Sequence, residues 1–174
     1  MVVLRYMEKK DIETVLSWQE GHTEEDLYQW AGPGYSYPLT KAQIQGRLET
    51  SSINTLGARH FIYVIELMPE EEVIGQIELA IKAPESSSAS IGKFLIGASS
   101  RRGQGYGRQA LMCLVDQAFN QLNVEQLFLK VFDFNQQAIR CYEQCGFAIV
   151  KKEERVYKGL EGYWNRYYML KENK

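Results

Sequence analysis

The stretch Ser99–Leu111, SSRRGQGYGRQAL, sets glycines at 103, 105 and 107 among Arg101, Arg102 and Arg108, with no acid between them. A strand-like apolar run precedes it. Apolar residues at Ala110, Leu111, Leu114, Val115, Ala118, Phe119 and Leu122 follow it at helical spacing. The glycines therefore sit where a strand turns into a helix. A helix start presents unpaired N–H groups and a partial positive charge. Glycines let a ligand approach the main chain, and successive amides cradle an anion. The pattern predicts a phosphate or pyrophosphate site. It is not a nucleotide P-loop, because Arg108 and Gln109 stand where Lys and Ser or Thr are required. A dinucleotide fingerprint survives only as Gly105-x-Gly107-x-x-Ala110. The strand meander before it and the position of Glu125 ahead of the next strand argue against that form.

About thirty residues further on, Asn135, Ala138, Tyr142, Gly146 and Phe147 form a second pattern. Arg102-Gly103-Gln104-Gly105-Tyr106-Gly107 resembles the coenzyme A signature [RQ]-x-x-G-x-[GA] of the GNAT superfamily of N-acetyltransferases. The second pattern resembles that family's N-x-x-A-x-x-x-Y-x-x-x-G-F helix. The resemblance implies one α/β domain over residues 1–174, with a central mixed, mostly antiparallel sheet flanked by helices. One parallel strand pair in it splays to admit acetyl-CoA. It implies pantetheine contacts along Leu95, Ile96 and Gly97, and pyrophosphate on amides of Arg102, Gly103, Gln104, Gly105, Tyr106 and Gly107 with Arg108 close by. Asn135 would contact the pantetheine or set the second helix. Tyr142 would protonate the departing thiolate; spacing alone would make it a core aromatic. The implied reaction is direct attack of an amine on the thioester in a ternary complex.

A primary alkylamine has a pKa of about 10.4 and must lose a proton first. Glu78 is the candidate base, mid-strand on a polar face, with a solvated carboxylate as the plainer reading. Asp133 is the weaker alternative. Cys141 beside Tyr142 reads as a packed helix cysteine, since direct transfer needs no thiol. Trp18, Trp30, Tyr35, Tyr37, Tyr163 and Trp164, with Glu20, Glu24, Glu25 and Asp26 nearby in sequence, suit a small polar or cationic amine acceptor. A peptide or protein N-terminus, or acyl-CoA binding without turnover, are the alternatives. A homodimer is compatible with either.

These residues need a scaffold, and the remaining sequence supplies one. VVLRYM reads as a strand and Asp11 as the cap of a first helix. Tyr28–Thr40 reads as an aromatic-rich loop, and Thr40 caps a helix through Arg47. His60–Leu67 and Val73–Ile81 are strands joined by an acidic turn. In the second, Val73, Gly75, Ile77, Leu79 and Ile81 share one face, with Gln76 and Glu78 on the other. Pro84–Ser90 reads as a serine-rich connection and Ile91–Ala98 as the next strand. Strand, helix, then strand Gln126–Phe132 forms a crossover unit, which requires a parallel pair. Gly146 ends the Asn135 helix, and a C-terminal hairpin turns at KGLEG.

Composition narrows the rest. The chain has 174 residues, 45% hydrophobic, with a net charge of −2, which gives no support for nucleic-acid binding. No apolar run approaches the about 20 residues of a membrane span, and the N-terminus lacks a signal-peptide core, so the expectation is cytoplasmic. Three cysteines, Cys113, Cys141 and Cys145, and two histidines, His22 and His60, predict neither a disulfide framework nor a metal site.

Overall fold

The computed structural model describes residues 1–53, 59–83 and 86–174. Strand β1 (Val2–Tyr6) leads to helices α1 (Ile12–Ser17), α2 (Glu24–Ala31) and α3 (Lys41–Thr50). Then come β2 (Ser52–Ile53), β3 (Arg59–Leu67), β4 (Glu72–Ile81) and β5 (Ser88–Ile96). The second half holds α4 (Tyr106–Gln121), β6 (Gln126–Phe132), α5 (Gln136–Gln144), β7 (Ala148–Gly159) and β8 (Gly162–Glu172). The sheet order is β1-β3-β4-β5-β6-β8-β7, with β2 on β3. β5 and β6 are parallel, as the α4 crossover requires, and the other pairs are antiparallel.

Strand alternation gives the sheet two working faces. Tyr63, Ile65, Ile77, Leu79, Ile91, Leu127 and Leu129 pack with Leu111, Leu114 and Ala118 of α4 and Ile139 of α5. On the opposite face, Ile62 and Val64 meet Ile12, Val15, Leu27 and Ile44 of α1–α3. The expected alternation along β4 breaks at a bulge opposite Ile65 and Glu66. Ile74 therefore enters the α4-side core, while Val73 packs on the α1–α3 side.

Two connections differ from the sequence reading. Tyr28–Ala31 is helical, because Thr23 and Asp26 form a capping box that starts α2 at Glu24. Ser88–Ser90 belongs to β5, paired with β6 through Gln126, Leu127 and Phe128. Serines are weak strand formers, but here they line a cleft rather than a core. Of the serine-rich connection, Pro84 and Glu85 lie outside the described residues.

The end of β5 is locked to the α1 region by a close approach. A Cβ built on buried Gly97 would lie 1.9 Å from the Trp18 indole, and the Gly97 N–H donates to the Ile74 carbonyl at 2.8 Å. Gly97→Ala is expected to cost about 1–3 kcal/mol through overpacking. Combined with Trp18→Leu it should cost less than the two single changes summed. Urea melts of the four proteins check this; a wild-type midpoint for Gly97→Ala contradicts it.

Candidate active site

β5 and β6 pair from Ser88↔Gln126 to Ile91↔Leu129 and then part. β5 continues to Ile96 along β4, while β6 continues to Phe132 along β8. The parting coincides with a bulge on β5. Glu78 faces Gly92 and Gln76 faces Leu95, so three steps on β5 match two on β4. Lys93 takes up the extra residue with φ +42°. From this fork opens a cleft of 1020 Å³ that reaches Leu95 and Arg102, Asn135 and Tyr142 on one side and α2 on the other.

The glycine turn follows directly. Gly103 and Gly105 have φ +74° and +81°, the left-handed region that glycine adopts without strain, and a Cβ on either would meet open space. Gly105 is the N-cap of the sixteen-residue α4, with no side-chain cap. Gly107 faces Phe94 and Ile96 at ordinary contact distance. The Arg102 Nε donates to the Ile96 carbonyl at 2.8 Å, so the guanidinium is folded over the end of β5. Gln104 donates to the Ser100 carbonyl, and Arg108 is exposed. Arg101 is taken by Glu72 and stands apart from this group.

Asn135 caps α5, its Oδ1 accepting the Ala138 N–H at 3.2 Å, and lines the cleft. Gly146 (φ +87°) ends the helix, with the Phe147 N–H returning to the Tyr142 carbonyl at 3.0 Å. The spacing from Asn135 to Phe147 is thus that of one short capped helix, and it carries Tyr142 to the fork. Tyr142 is 8% exposed, with its ring 6.2 Å from Phe94. Burial raises its hydroxyl above the ordinary phenol range, so it stays protonated at neutral pH.

Glu78 departs from its expected setting. It lies on the face opposite the main core, as alternation requires, but α3 covers it and it is 3% exposed. Arg47 donates to both carboxylate oxygens through Nε, at 3.0 and 3.2 Å, and through Nη2 at 2.6 Å. His60 Nε2 lies 2.9 Å from Oε2, and Gln76 donates to Oε1 at 3.0 Å. Burial opposes the charge, but the His60 and Arg47 hydrogen bonds outweigh it and bring the carboxyl down to about 2. A carboxylate so held is a poor proton acceptor, and Glu78 is not among the cleft-lining residues. Asp133 is also occupied: it accepts the Asn165 side-chain amide at 3.0 Å.

The aromatics divide. Trp30 lines the cleft; Trp18 packs on Gly97; Tyr35 lies under Lys93, 5.3 Å from Nζ. Tyr37 donates to the His22 carbonyl, and Tyr163 lies beside Arg155. Trp164 joins Phe132, Phe134 and Tyr157 in an aromatic cluster. Of the four nearby acids, Asp26 alone lines the cleft, and it serves the α2 cap. The sequence reading missed Lys93, which lines the cleft beside the fork and donates to the Ala31 carbonyl at 2.9 Å. Burial pulls its ammonium below the ordinary lysine value. The available signal was the inward series Ile91, Phe94, Ile96, whose first step is three rather than two. The three cysteines are free thiols. Among the described residues no group of three or more His, Cys, Asp or Glu is arranged to hold a metal, and no helix is long and apolar enough to cross a membrane.

Two expectations follow for Glu78. Arg47→Met should cost about 3–5 kcal/mol, since it leaves a buried carboxylate without its cation, and adding Glu78→Gln should recover part of that loss. The folded-state pKa is depressed from 4.5, so the Glu78 contribution is full above pH 4.5 and fades as pH falls toward 2. Urea unfolding across that window should show a shallower acid loss in Glu78→Gln. An identical acid limb in both proteins contradicts the assignment.

Known proteins carry the same architecture. Residues 2–148 match the sequence profile of the acetyltransferase (GNAT) domain. An uncharacterized N-acetyltransferase, YycN of Bacillus subtilis (strain 168), is 50% identical over 46 residues, covering 26% of this chain and 29% of that protein. The spermidine N-acetyltransferase of Vibrio cholerae, solved in complex with CoA and spermine, superposes with a TM-score of 0.82 at 19% identity, over 98% of this chain and 95% of that one. A dodecameric form of the Vibrio cholerae enzyme gives 0.74 at 21% identity, over 98% and 93% of the two chains. At these identities the likeness to the solved structures is one of fold.

Proposed function

The chain belongs to the GNAT acetyltransferase family, and from that premise we propose that it moves an acetyl group from acetyl-CoA to the primary amine of a small molecule, by direct attack in a ternary complex. The observation that carries this reading is a single cleft lined by Leu95 beyond the β5–β6 fork, by Arg102 next to the glycine turn, and by Asn135 and Tyr142. Beyond Ile91 the edge of β5 that faces β6 has no strand partner, which suits the amides of a pantetheine arm; at its end the Ile96 carbonyl accepts from Arg102. Gly103 and Gly105 open the amides from Arg102 to Gly107 toward a diphosphate, with Arg108 beside them.

In the proposed reaction the amine nitrogen bonds to the thioester carbonyl carbon, its oxygen takes up the charge, and the carbon–sulfur bond then breaks. Tyr142, kept protonated by burial, supplies the proton to the sulfur. An N–H near Leu95 or Ile96 steadies the oxyanion that develops between these events. The amine proton leaves through water in the open cleft. Glu78 acts as a positioning residue: it fixes Arg47, and its charge lies under Lys93 at the bulge.

Tyr142→Phe is expected to lower kcat by roughly 10²–10⁴-fold while calorimetry gives a near-wild-type Kd for coenzyme A. An unchanged kcat removes Tyr142 from the chemistry. Gly105→Glu should abolish coenzyme A binding by placing a strained carboxylate at the phosphate position, with a circular dichroism spectrum like that of wild type. Wild-type affinity in that variant contradicts the proposed cradle. Coenzyme A binding without thiol release from acetyl-CoA on any amine or peptide would favour a non-catalytic acyl-CoA binder.

A further inference from the structure

The acceptor side of the cleft has a charge pattern of its own. Its floor is built from one face of four strands. Ala80 pairs with Ser90, Ser90 with Phe128, Lys130 with Tyr168 and Phe132 with Arg166, and alternation sends these side chains the same way. Lys82 lies two residues past Ala80, and Lys93 enters from the bulge; all of these line the cleft. Lys82, Lys93, Lys130 and Arg166 thus face this space. Among the described residues the one lining acid is Asp26, whose carboxylate already accepts the Thr23 N–H and hydroxyl at 2.8 Å each.

Lys130 is the best placed of these cations. It follows Leu129, the last β6 residue paired with β5, so it stands at the fork. It is exposed, and among the described residues it makes no ion pair. Its ammonium lies 4.9 Å from the centre of the Tyr168 ring, which Arg166 also approaches at 5.6 Å and Lys151 at 5.3 Å. Glu153 is the acid that Lys151 and Arg166 share. These cations are not part of the diphosphate cradle. Five residue steps of β5, roughly 16 Å at the strand rise, separate the fork at Ile91 from Ile96, where Arg102 is folded over.

An amine that reaches a thioester in the fork brings its substituents over Lys130 and Tyr168. A second ammonium there would meet like charges against a low-dielectric wall. A carboxylate or phosphate would meet charge-assisted donors. We infer that the acceptor is an amine carrying an anionic group a few bonds from the reacting nitrogen, as in an amino acid, with Lys130 as the residue that selects it and Arg166, paired with Glu153, beside it. This rests on the acetyl-transfer reading, and it argues against a polyamine acceptor despite the acids seen in the sequence around α2. The same cations favour the neutral form of the attacking amine, which reduces the demand on a base.

The test is thiol release from saturating acetyl-CoA with matched amines: amino acids against their carboxamides and decarboxylated amines, phosphoethanolamine against ethanolamine, and spermidine. The anionic member should exceed its partner in kcat/KM by about tenfold or more, as for one charged hydrogen bond. The carboxylate and phosphate arms show which anion is preferred. Lys130→Met should raise KM for the anionic member by a similar factor, change kcat little and erase the preference. Lys130→Arg should keep the preference, and calorimetry should give the wild-type Kd for coenzyme A in both variants. Preference for spermidine or for the uncharged members, or an unaltered preference in Lys130→Met, overturns the inference and leaves acetyl transfer standing. Coenzyme A binding with no release on any amine overturns the transfer reading, and this inference with it.

Discussion

The arrangement turns on a backbone constraint: β5 cannot keep both of its neighbours. It pairs with β6 through Ile91, then takes a bulge at Lys93 and follows β4 alone. β6 is held by β8 along its whole length, from Gln126 to Phe132, so it cannot follow. The gap exposes peptide groups from the middle of a sheet, where unpaired donors and acceptors are costly. In the proposed complex, a substrate arm bearing amides would restore what the missing strand pairing leaves open. The glycine turn follows the end of the same strand, so an anion held there and an arm in the fork would belong to one ligand.

Around that gap the charges are sorted by burial and pairing. Glu78 is neutralised by Arg47 beneath the bulge, and Asp26 is spent on a helix cap, so neither carboxylate is free in the cleft. Lys93 is held by a carbonyl and the face of Tyr35. What remains toward the acceptor is cationic, with Lys130 open to solvent. The chain has a net charge of −2, yet this cleft carries the opposite sign, so overall charge is no guide to the substrate.

The parallel pair, the glycine turn and the capped α5 were legible because each rests on local chemistry: a strand–helix–strand order, positive φ at Gly103 and Gly105, an Asn cap and a Gly stop. The start of α2 was masked by the Gly, Pro and aromatic content of the segment that follows, although Thr23 and Asp26 carried the capping signal. Ser88–Ser90 looked like a loop because of its serine content, and its strand state comes from pairing with β6, joined at Ser90 by β4. Glu78 shows the limit most clearly. Alternation gave its face correctly, but an Arg thirty-one residues earlier decides whether that face is solvent or a buried ion pair. Such long-range pairing has no period to read.

The central claim is that coenzyme A docks across the fork and the glycine turn. Amide hydrogen exchange of the wild-type protein, with and without saturating coenzyme A, tests it most directly. Slowed exchange concentrated at Leu95–Ile96 and Arg102–Arg108, with β1 and β3 unchanged, is the predicted result. Unchanged exchange at both segments, or protection confined elsewhere, contradicts the account.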